Sequence, residues 1–461
     1  MKRSPTPPKR RSSHAVGRPL CFVLMPFGRK SDDAGRAVDF DAVYRDLIAP
    51  AIVDAELEPL RADEEVTGGI IHKPMFERLI LCEFAVADLT SANANVFYEL
   101  GVRHAVRPWS TVLVYAEGGR LPFDVAPQRA LPYELAPGGA PTNVRDTRRA
   151  LVKRLVEARN AQTDSPIYQL VDGMPAPEID RAKTDVFRDQ VRYSAEMKER
   201  LAAAREKGVK AVLKIERELE PIADAESGVV IDLFLSYRAV KAWDEMVALV
   251  DKMSPPLAAT AMVQEQLALA LNRAGAGERA ERLLTELIAR RGPSSETYGI
   301  LGRVYKDRWS AAVEGGSTVL ARGLLEKAIE AYLKGFETDW RDAYPGVNAV
   351  TLMEVREPPD PRRKELLPIV AYAVERRIER GDPDYWDHAT RLELAVLGND
   401  EDVGAASLAA ALAAVREVWE PESTANNLRM IREARGARGE SVPWADEAEQ
   451  VLLGAAGKTA T

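Results

Sequence analysis

Two carboxylates stand out by type and spacing: Asp88, and Glu99 eleven positions on, flanking a loop rich in asparagine and hydroxyl residues. A carboxylate beneath an oxocarbenium-like centre can stabilise or trap its charge, which is what cleaving an N-glycosidic bond requires. Asn93 and Asn95 are good helix caps, so Glu99 falls in the first turns of a helix opened by Val96-Phe97-Tyr98. There the exposed N–H groups and the helix dipole should keep it ionised, which suits a nucleophile and not a general acid. Glu99 also precedes Arg103 by four positions, and an ion pair at that spacing would account for it at a few tenths of a kcal/mol. Asp88 reads equally well as a functional carboxylate or as a loop cap. Phe27 and Gly28, after an apolar run, would stack a base and admit a phosphate, or simply form a turn.

These residues need a scaffold. Phe84 to Ala87 has the apolar character of a buried strand, and strand, polar loop and helix N-terminus in that order mark the carboxyl edge of a parallel sheet, where α/β folds bind ligands. Leu20 to Met25 reads as a central strand ending in the Pro26-Phe27-Gly28 turn. Helical spacing follows over Phe40–Leu57 through Val43, Leu47, Ile48 and Ile52, then a short strand over 58–63. Gly68-Gly69 precedes an amphipathic helix through Met75, Leu79 and Ile80. Thr111 to Tyr115 is another strand, and the Pro-rich stretch 121–135 carries a last short one. This alternation predicts a doubly wound parallel α/β domain over residues 19–135. Ala136-Pro137-Gly138-Gly139-Ala140-Pro141 then reads as a linker, 136–142.

Beyond it strand patterns nearly vanish and six of the seven tryptophans occur. Residues 143–446 are expected to form an all-α, tetratricopeptide-like solenoid of irregular period, with a flexible tail over 447–461. Arg303, Lys306 and Asp307 share one helix face at spacings of three and four. Tyr344 and Asn348 are expected from a non-helical connection. Together these five would form a polar pocket for an anionic ligand or a partner, or else a charged, solvated face.

Two resemblances extend this reading. Met25-Pro26-Phe27-Gly28, Arg61-Ala62-Asp63, Ala87-Asp88-Leu89-Thr90 and Asn93 through Gly101 resemble the deoxyribohydrolase-type superfamily, which includes nucleoside 2-deoxyribosyltransferases and is related to TIR-like domains. The resemblance implies Glu99 as the nucleophile, Asp88 as the residue handling sugar hydroxyls, and Phe27, Gly28, Asp63 and Asn95 as substrate-binding. Asn93 stands where those enzymes tend to carry aspartate. Glu296 through Asp307, Gly335-Phe336-Glu337, Tyr344 through Ala349, Tyr385-Trp386-Asp387 and Ala389-Thr390 resemble the TRAFs-binding, tetratricopeptide-like region of apoptosis signal-regulating MAP kinase kinase kinases and its bacterial relatives, over about 180–435. Kinase motifs are missing, so this resemblance does not extend to phosphoryl transfer.

Composition sets the outer bounds. With 46% hydrophobic and 29% charged residues, the 461-residue chain has apolar material for two or three domains. Cys21 and Cys82 show no metal or disulfide spacing, the four histidines are scattered, and no cofactor is implied. Residues 1–18 carry six cations and no acid and read as a disordered basic tail, leaving the rest of the chain acidic. That acidity argues against a broad nucleic-acid footprint. No membrane span or signal peptide is visible, so a cytoplasmic location is expected. Two functions therefore stand side by side: a nucleotide- or nucleoside-processing effector cleaving or transferring an N-glycosidic bond, and a non-catalytic scaffold binding proteins through its helices.

Overall fold

The computed structural model describes residues 18–32, 35–61, 72–119, 130–160, 164–171, 173–175, 177, 179, 181–380, 383–416 and 419–458. Asp63, the basic tail apart from Arg18, and most of the Pro-rich stretch 121–135 lie outside them. Two compact units divide between Val191 and Arg192.

The first unit opens with β1 (Leu20–Leu24), the small antiparallel pair β2 (Arg29–Ser31) and β3 (Ala37–Asp39), and a helical segment. That segment joins α1 (Phe40–Ala42), a π-helix (Val43–Ile48) and α2 (Ala49–Asp54). Then come β4 (Glu58–Arg61), α3 (His72–Leu81), β5 (Phe84–Asp88), α4 (Ala94–Val106), β6 (Thr111–Ala116), β7 (Leu131–Leu135), β8 (Pro141–Thr142), α5 (Val144–Glu157) and α6 (Pro166–Leu170). The sheet runs β4-β1-β5-β6-β7-β8, parallel except for the last pair. Strand order reverses at β1, so the crevice at its carboxyl end is where such a sheet takes a ligand.

β1 is apolar at all five positions because both faces of a parallel strand are covered. Alternation at period two sends Cys21 and Val23, with Val86, Val112 and Val114, to a core shared with Leu47, Ile48, Ile52, Leu151 and Leu155. Leu20, Phe22 and Leu24, with Ala85 and Ala87, meet Leu79, Val96 and Leu100 on the other face. Because α5 supplies Leu151 and Leu155, the first unit does not close near residue 140. The stretch expected as a linker is instead the β7–β8 turn, with Glu134 opposite Thr142 and Leu135 opposite Pro141. Gly139 is required there: its φ is +86°, its carbonyl accepts from the Asp39 N–H at 2.9 Å, and a Cβ would sit 2.8 Å from that nitrogen.

The second unit is helical. The division falls within α7 (Arg181–Lys207): Phe187 joins the first unit's core, Met197 and Leu201 the second's. There follow α8 (Val209–Leu219), a 3₁₀ turn (Ile222–Asp224), α9 (Ser227–Ala239), α10 (Trp243–Val250), α11 (Pro255–Ala258), α12 (Ala261–Arg273), α13 (Gly277–Arg291), α14 (Ser295–Glu314) and α15 (Thr318–Thr338). The unit closes with α16 (Ala343–Val355), α17 (Arg363–Arg380), α18 (Tyr385–Gly398), α19 (Glu401–Ala413), α20 (Trp419–Ala437) and α21 (Pro443–Lys458). Consecutive helices pack as hairpins, while α10, α12, α14, α16, α18 and α20 also touch one another in a row. This double pattern builds one continuous core from units that could not bury their faces alone. Among the described residues no helix is long and apolar enough to cross a membrane.

Two expectations are corrected. Tyr344 and Asn348 lie within α16, not in an irregular connection: Asp342 caps it by accepting from the Tyr344 N–H, and Pro345 sits in the first turn, where its missing N–H costs nothing. The expected tail 447–461 begins inside α21, whose Ala448 and Leu452 are buried against α20 and its neighbours.

Candidate functional site

At the carboxyl edge of the sheet, Asp88 ends β5 and is 1% exposed. Its Oδ1 accepts from the Thr90 N–H at 3.0 Å and from the Thr90 hydroxyl; its Oδ2 accepts from the Tyr133 hydroxyl at 2.7 Å. The Thr90 Oγ1 also receives the Ala116 N–H at 2.9 Å, so the set ties β5 to β6 and β7. Burial pushes the Asp88 carboxyl up, against the pull of these hydrogen bonds. Both oxygens are engaged by the chain itself, an arrangement made for holding strands together.

Phe27 and Gly28 follow β1. Arg61, at the end of β4, lies 4.5 Å from the Tyr44 ring centroid and 5.4 Å from that of Phe27. Asp41 Oδ1 accepts from Arg61 at 2.8 Å and from the Gly28 N–H at 3.2 Å. Gly28 has φ +67° with open space where a side chain would be. Tyr44 belongs to the π-helix, a form that recurs at functional positions.

Glu99 departs from expectation. Asn93 caps α4 by accepting from the Asn95 and Val96 N–H groups, which takes up the helix end that was to hold Glu99 ionised. Burial alone pushes the Glu99 carboxyl up to about 7, and among the described residues it has no hydrogen-bond partner. Nor does it pair with Arg103. That guanidinium is wholly buried and donates to the carbonyls of Leu79, Cys82 and Glu83 and to the Ser110 and Thr111 hydroxyls. Asn95 is exposed in the first turn of α4.

In the helical unit, all five expected residues fall on the facing helices α14 and α16. Arg303 donates through Nε to Asp307 at 2.8 Å, and the Asp307 carboxylate also accepts from Asn272 of α12 at 2.7 Å. Lys306 donates to Asn348 Oδ1 at 3.3 Å and to Asn427 Oδ1, on α20, at 3.1 Å. Behind Lys306 lies Glu393 of α18, 4% exposed, which accepts from Thr351 and from Asn427. Desolvation pulls the Lys306 ammonium down to about 8, with Glu393 opposing. Asn348 donates to the Tyr344 carbonyl at 2.9 Å, and the Tyr344 ring meets Tyr332 of α15 edge-on at 6.1 Å.

Sequence reading missed Tyr332, Asn272, Glu393 and Asn427 here, and Tyr44, Asp41 and Tyr133 at the sheet edge. Glu393 and Asn427 carried a faint signal: each interrupts an apolar helix stripe, as buried polar residues with partners do.

Residues 96–452, more than half of the chain, match the family model described as the MAP3K TRAFs-binding domain. That match starts inside α4 and so takes in β6, β7 and α5 as well as the helical unit. Mitogen-activated protein kinase kinase kinase 15 of Mus musculus is 25% identical over 390 residues, covering 76% of this chain and 28% of that protein. The chain thus spans little more than a quarter of that relative's length. A tetratricopeptide-repeat protein of Thermus thermophilus is 15% identical with a TM-score of 0.33, covering 44% of this chain and 99% of the other. One from Parabacteroides merdae is 13% identical with a TM-score of 0.32, covering 58% and 98%. By the extent of the family match, the chain belongs to the MAP3K TRAFs-binding domain family.

Proposed function

We propose that this protein is a scaffold whose helical unit binds a protein partner, a TRAF being the kind that the family's description names. The observation that carries this is membership over residues 96–452. The surface supports it. The rings of Trp386 and Trp419 meet at a tilt, 5.4 Å between centroids, while remaining 38% and 51% exposed, and Trp340 and Tyr372 stand out further still. Exposed tryptophan and tyrosine are the side chains that concentrate binding energy at interfaces. The test is sedimentation of the full chain with a TRAF-type partner. A complex that Trp419→Ala weakens about thirtyfold supports the reading. Unmixed sedimentation of the two proteins at about 100 μM, far above the dissociation constant of a specific interface, overturns it.

A second reading, cleavage of the N-glycosidic bond of a nucleotide or nucleoside, is favoured by one feature. Glu99 is a half-buried carboxylate without a partner among the described residues, and such a group at the edge of a parallel sheet suits chemistry better than structure. Held near 7, it would serve as an acid or base as well as a nucleophile. Release of free base by the purified chain, lost in Glu99→Gln, would support it; no release from a broad panel of nucleosides and nucleotides counts against it.

A further inference from the structure

The aromatic surface leaves the string Tyr298-Gly299-Ile300-Leu301-Gly302-Arg303 unexplained. Its two glycines let tyrosines from other helices lie on the backbone of α14. A Cβ on Gly302 would stand 2.6 Å from the Tyr332 ring, and one on Gly299 3.3 Å from that of Tyr344. Gly302→Ala is therefore excluded sterically, and Tyr332 is pressed in beside Arg303.

Several donors are left over at that point. The Tyr332 hydroxyl, on a residue with no exposed surface, makes no hydrogen bond of good geometry. Burial, and then the Tyr344 phenol, which it meets in an imperfect hydrogen bond, hold it well above its ordinary value, so it keeps its proton. Arg303 uses Nε for Asp307, and its terminal nitrogens form no further hydrogen bond among the described residues. Lys306 directs two of its three N–H groups to Asn348 and Asn427. The rim of the spot is open to solvent, with Arg303 and Asp307 each about one-third exposed and Tyr344 about half, while Tyr332 itself is buried.

We propose that Arg303, Lys306 and Tyr332 form a binding site for a phosphoryl dianion carried on a monoester. Donors on three separate side chains suit an acceptor with three oxygens better than a carboxylate with two. The resident acids fit this assignment. Asp307 fixes the guanidinium through Nε, leaving its outer edge turned away from that pair, and Glu393 offsets Lys306 from inside the core, held by Thr351 and Asn427. The site goes beyond the scaffold reading, since a phosphoryl group reaches it equally from a phosphorylated side chain or from a free nucleotide.

Titration calorimetry on the full chain tests it, with phenyl phosphate as the first probe. Saturable binding is expected, weakened about tenfold or more in Arg303→Gln and severalfold in Tyr332→Phe, the cost of losing one charged and one neutral donor. Affinity should also fall between pH 7 and 9. Lys306 loses its proton near 8, while a phosphate monoester stays a dianion throughout. The charges facing that ammonium are Arg303 and Asp307 on its own helix and Glu393 on α18, and the amides of Asn348 and Asn427 do not titrate. Lys306→Met strips Glu393 of its cation and so strains the fold; Arg303→Gln leaves the core alone and keeps the test valid. Comparing a phosphothreonine peptide with adenosine monophosphate identifies the source by whichever binds tighter. No saturation by any phosphate probe up to about 10 mM, a millimolar affinity being the weakest of interest, overturns the proposal. So does equal binding of benzoate, or binding unchanged in Arg303→Gln. None of these probes involves a protein partner, so their failure leaves the sedimentation result standing, and the reverse.

Discussion

The polar groups at the sheet edge and those on α14 differ in what they leave over. The Asp88 carboxylate is closed within the chain: Thr90 occupies one oxygen, Tyr133 the other, and Ala116 donates to the threonine. Around Arg303 the count does not close among the described residues, because a buried phenol makes no hydrogen bond of good geometry and the Arg303 terminal nitrogens and one Lys306 N–H are left over. Both clusters are polar and set among apolar neighbours, yet the first serves the fold alone and the second keeps donors that the proposed ligand would use. Burial of a charged group is therefore poor evidence of function by itself. The informative quantity is hydrogen-bonding capacity left unused after the fold is made.

If that distinction is right, closed clusters should fail through stability and open ones through binding. The largest effect is expected at the helical unit's own closed cluster. Glu354, 3% exposed, accepts from Arg363 at 2.6 Å, from Arg435 at 3.0 Å and from Arg438 at 2.5 Å. Glu354→Ala strands those cations and should lower the unfolding free energy by about 3–5 kcal/mol, read from denaturant melts of the helical signal. Asp88→Asn comes next, at about 1–3 kcal/mol, because the new amide meets the Thr90 N–H or the Tyr133 hydroxyl with a donor of its own. A loss below a few tenths would show that the Asp88 cluster is not a fastener.

Glu99 offers a change of opposite sign. Its carboxyl titrates near 7 in the fold, against 4.5 for an ordinary glutamate. The folded chain thus holds the proton more tightly, and stability falls as pH rises from 4.5 to 7. Glu99→Gln should accordingly stabilise the first unit by about 1–2 kcal/mol at pH 8 and by almost nothing at pH 4. An equal effect at both values would place the glutamate in water. The smallest effect on stability belongs to Arg303→Gln, under about 1 kcal/mol because its ion pair with Asp307 is partly exposed, while phosphate-monoester binding drops. A large stability loss with binding retained would reverse the two clusters' roles.

Local pattern carried much of the architecture. The apolar run at Leu20–Leu24, the cap at Asn93 and the helical periods of the second half all produce the elements that their spacing implies. Proline and glycine misled at 136–142 and at Tyr344-Pro345-Gly346. In the first, turn chemistry served a hairpin and not a linker; in the second, proline sat in a helix's first turn, where it is tolerated. Arg103 was legible as a charge on a helix, but its burial beneath three carbonyls was not, since those come from α3 and the residues just beyond it.

By itself, the sequence determined the central strands, most of the helices, and that Arg303, Lys306 and Asp307 share a face, because these depend on neighbours within a few residues. Only the tertiary structure decided that Asp88 is closed off, that Glu99 has no hydrogen-bond partner among the described residues, and that Tyr332 arrives beside Arg303. Each of those outcomes turns on groups tens of residues away in the chain, and on how much water their packing leaves between them.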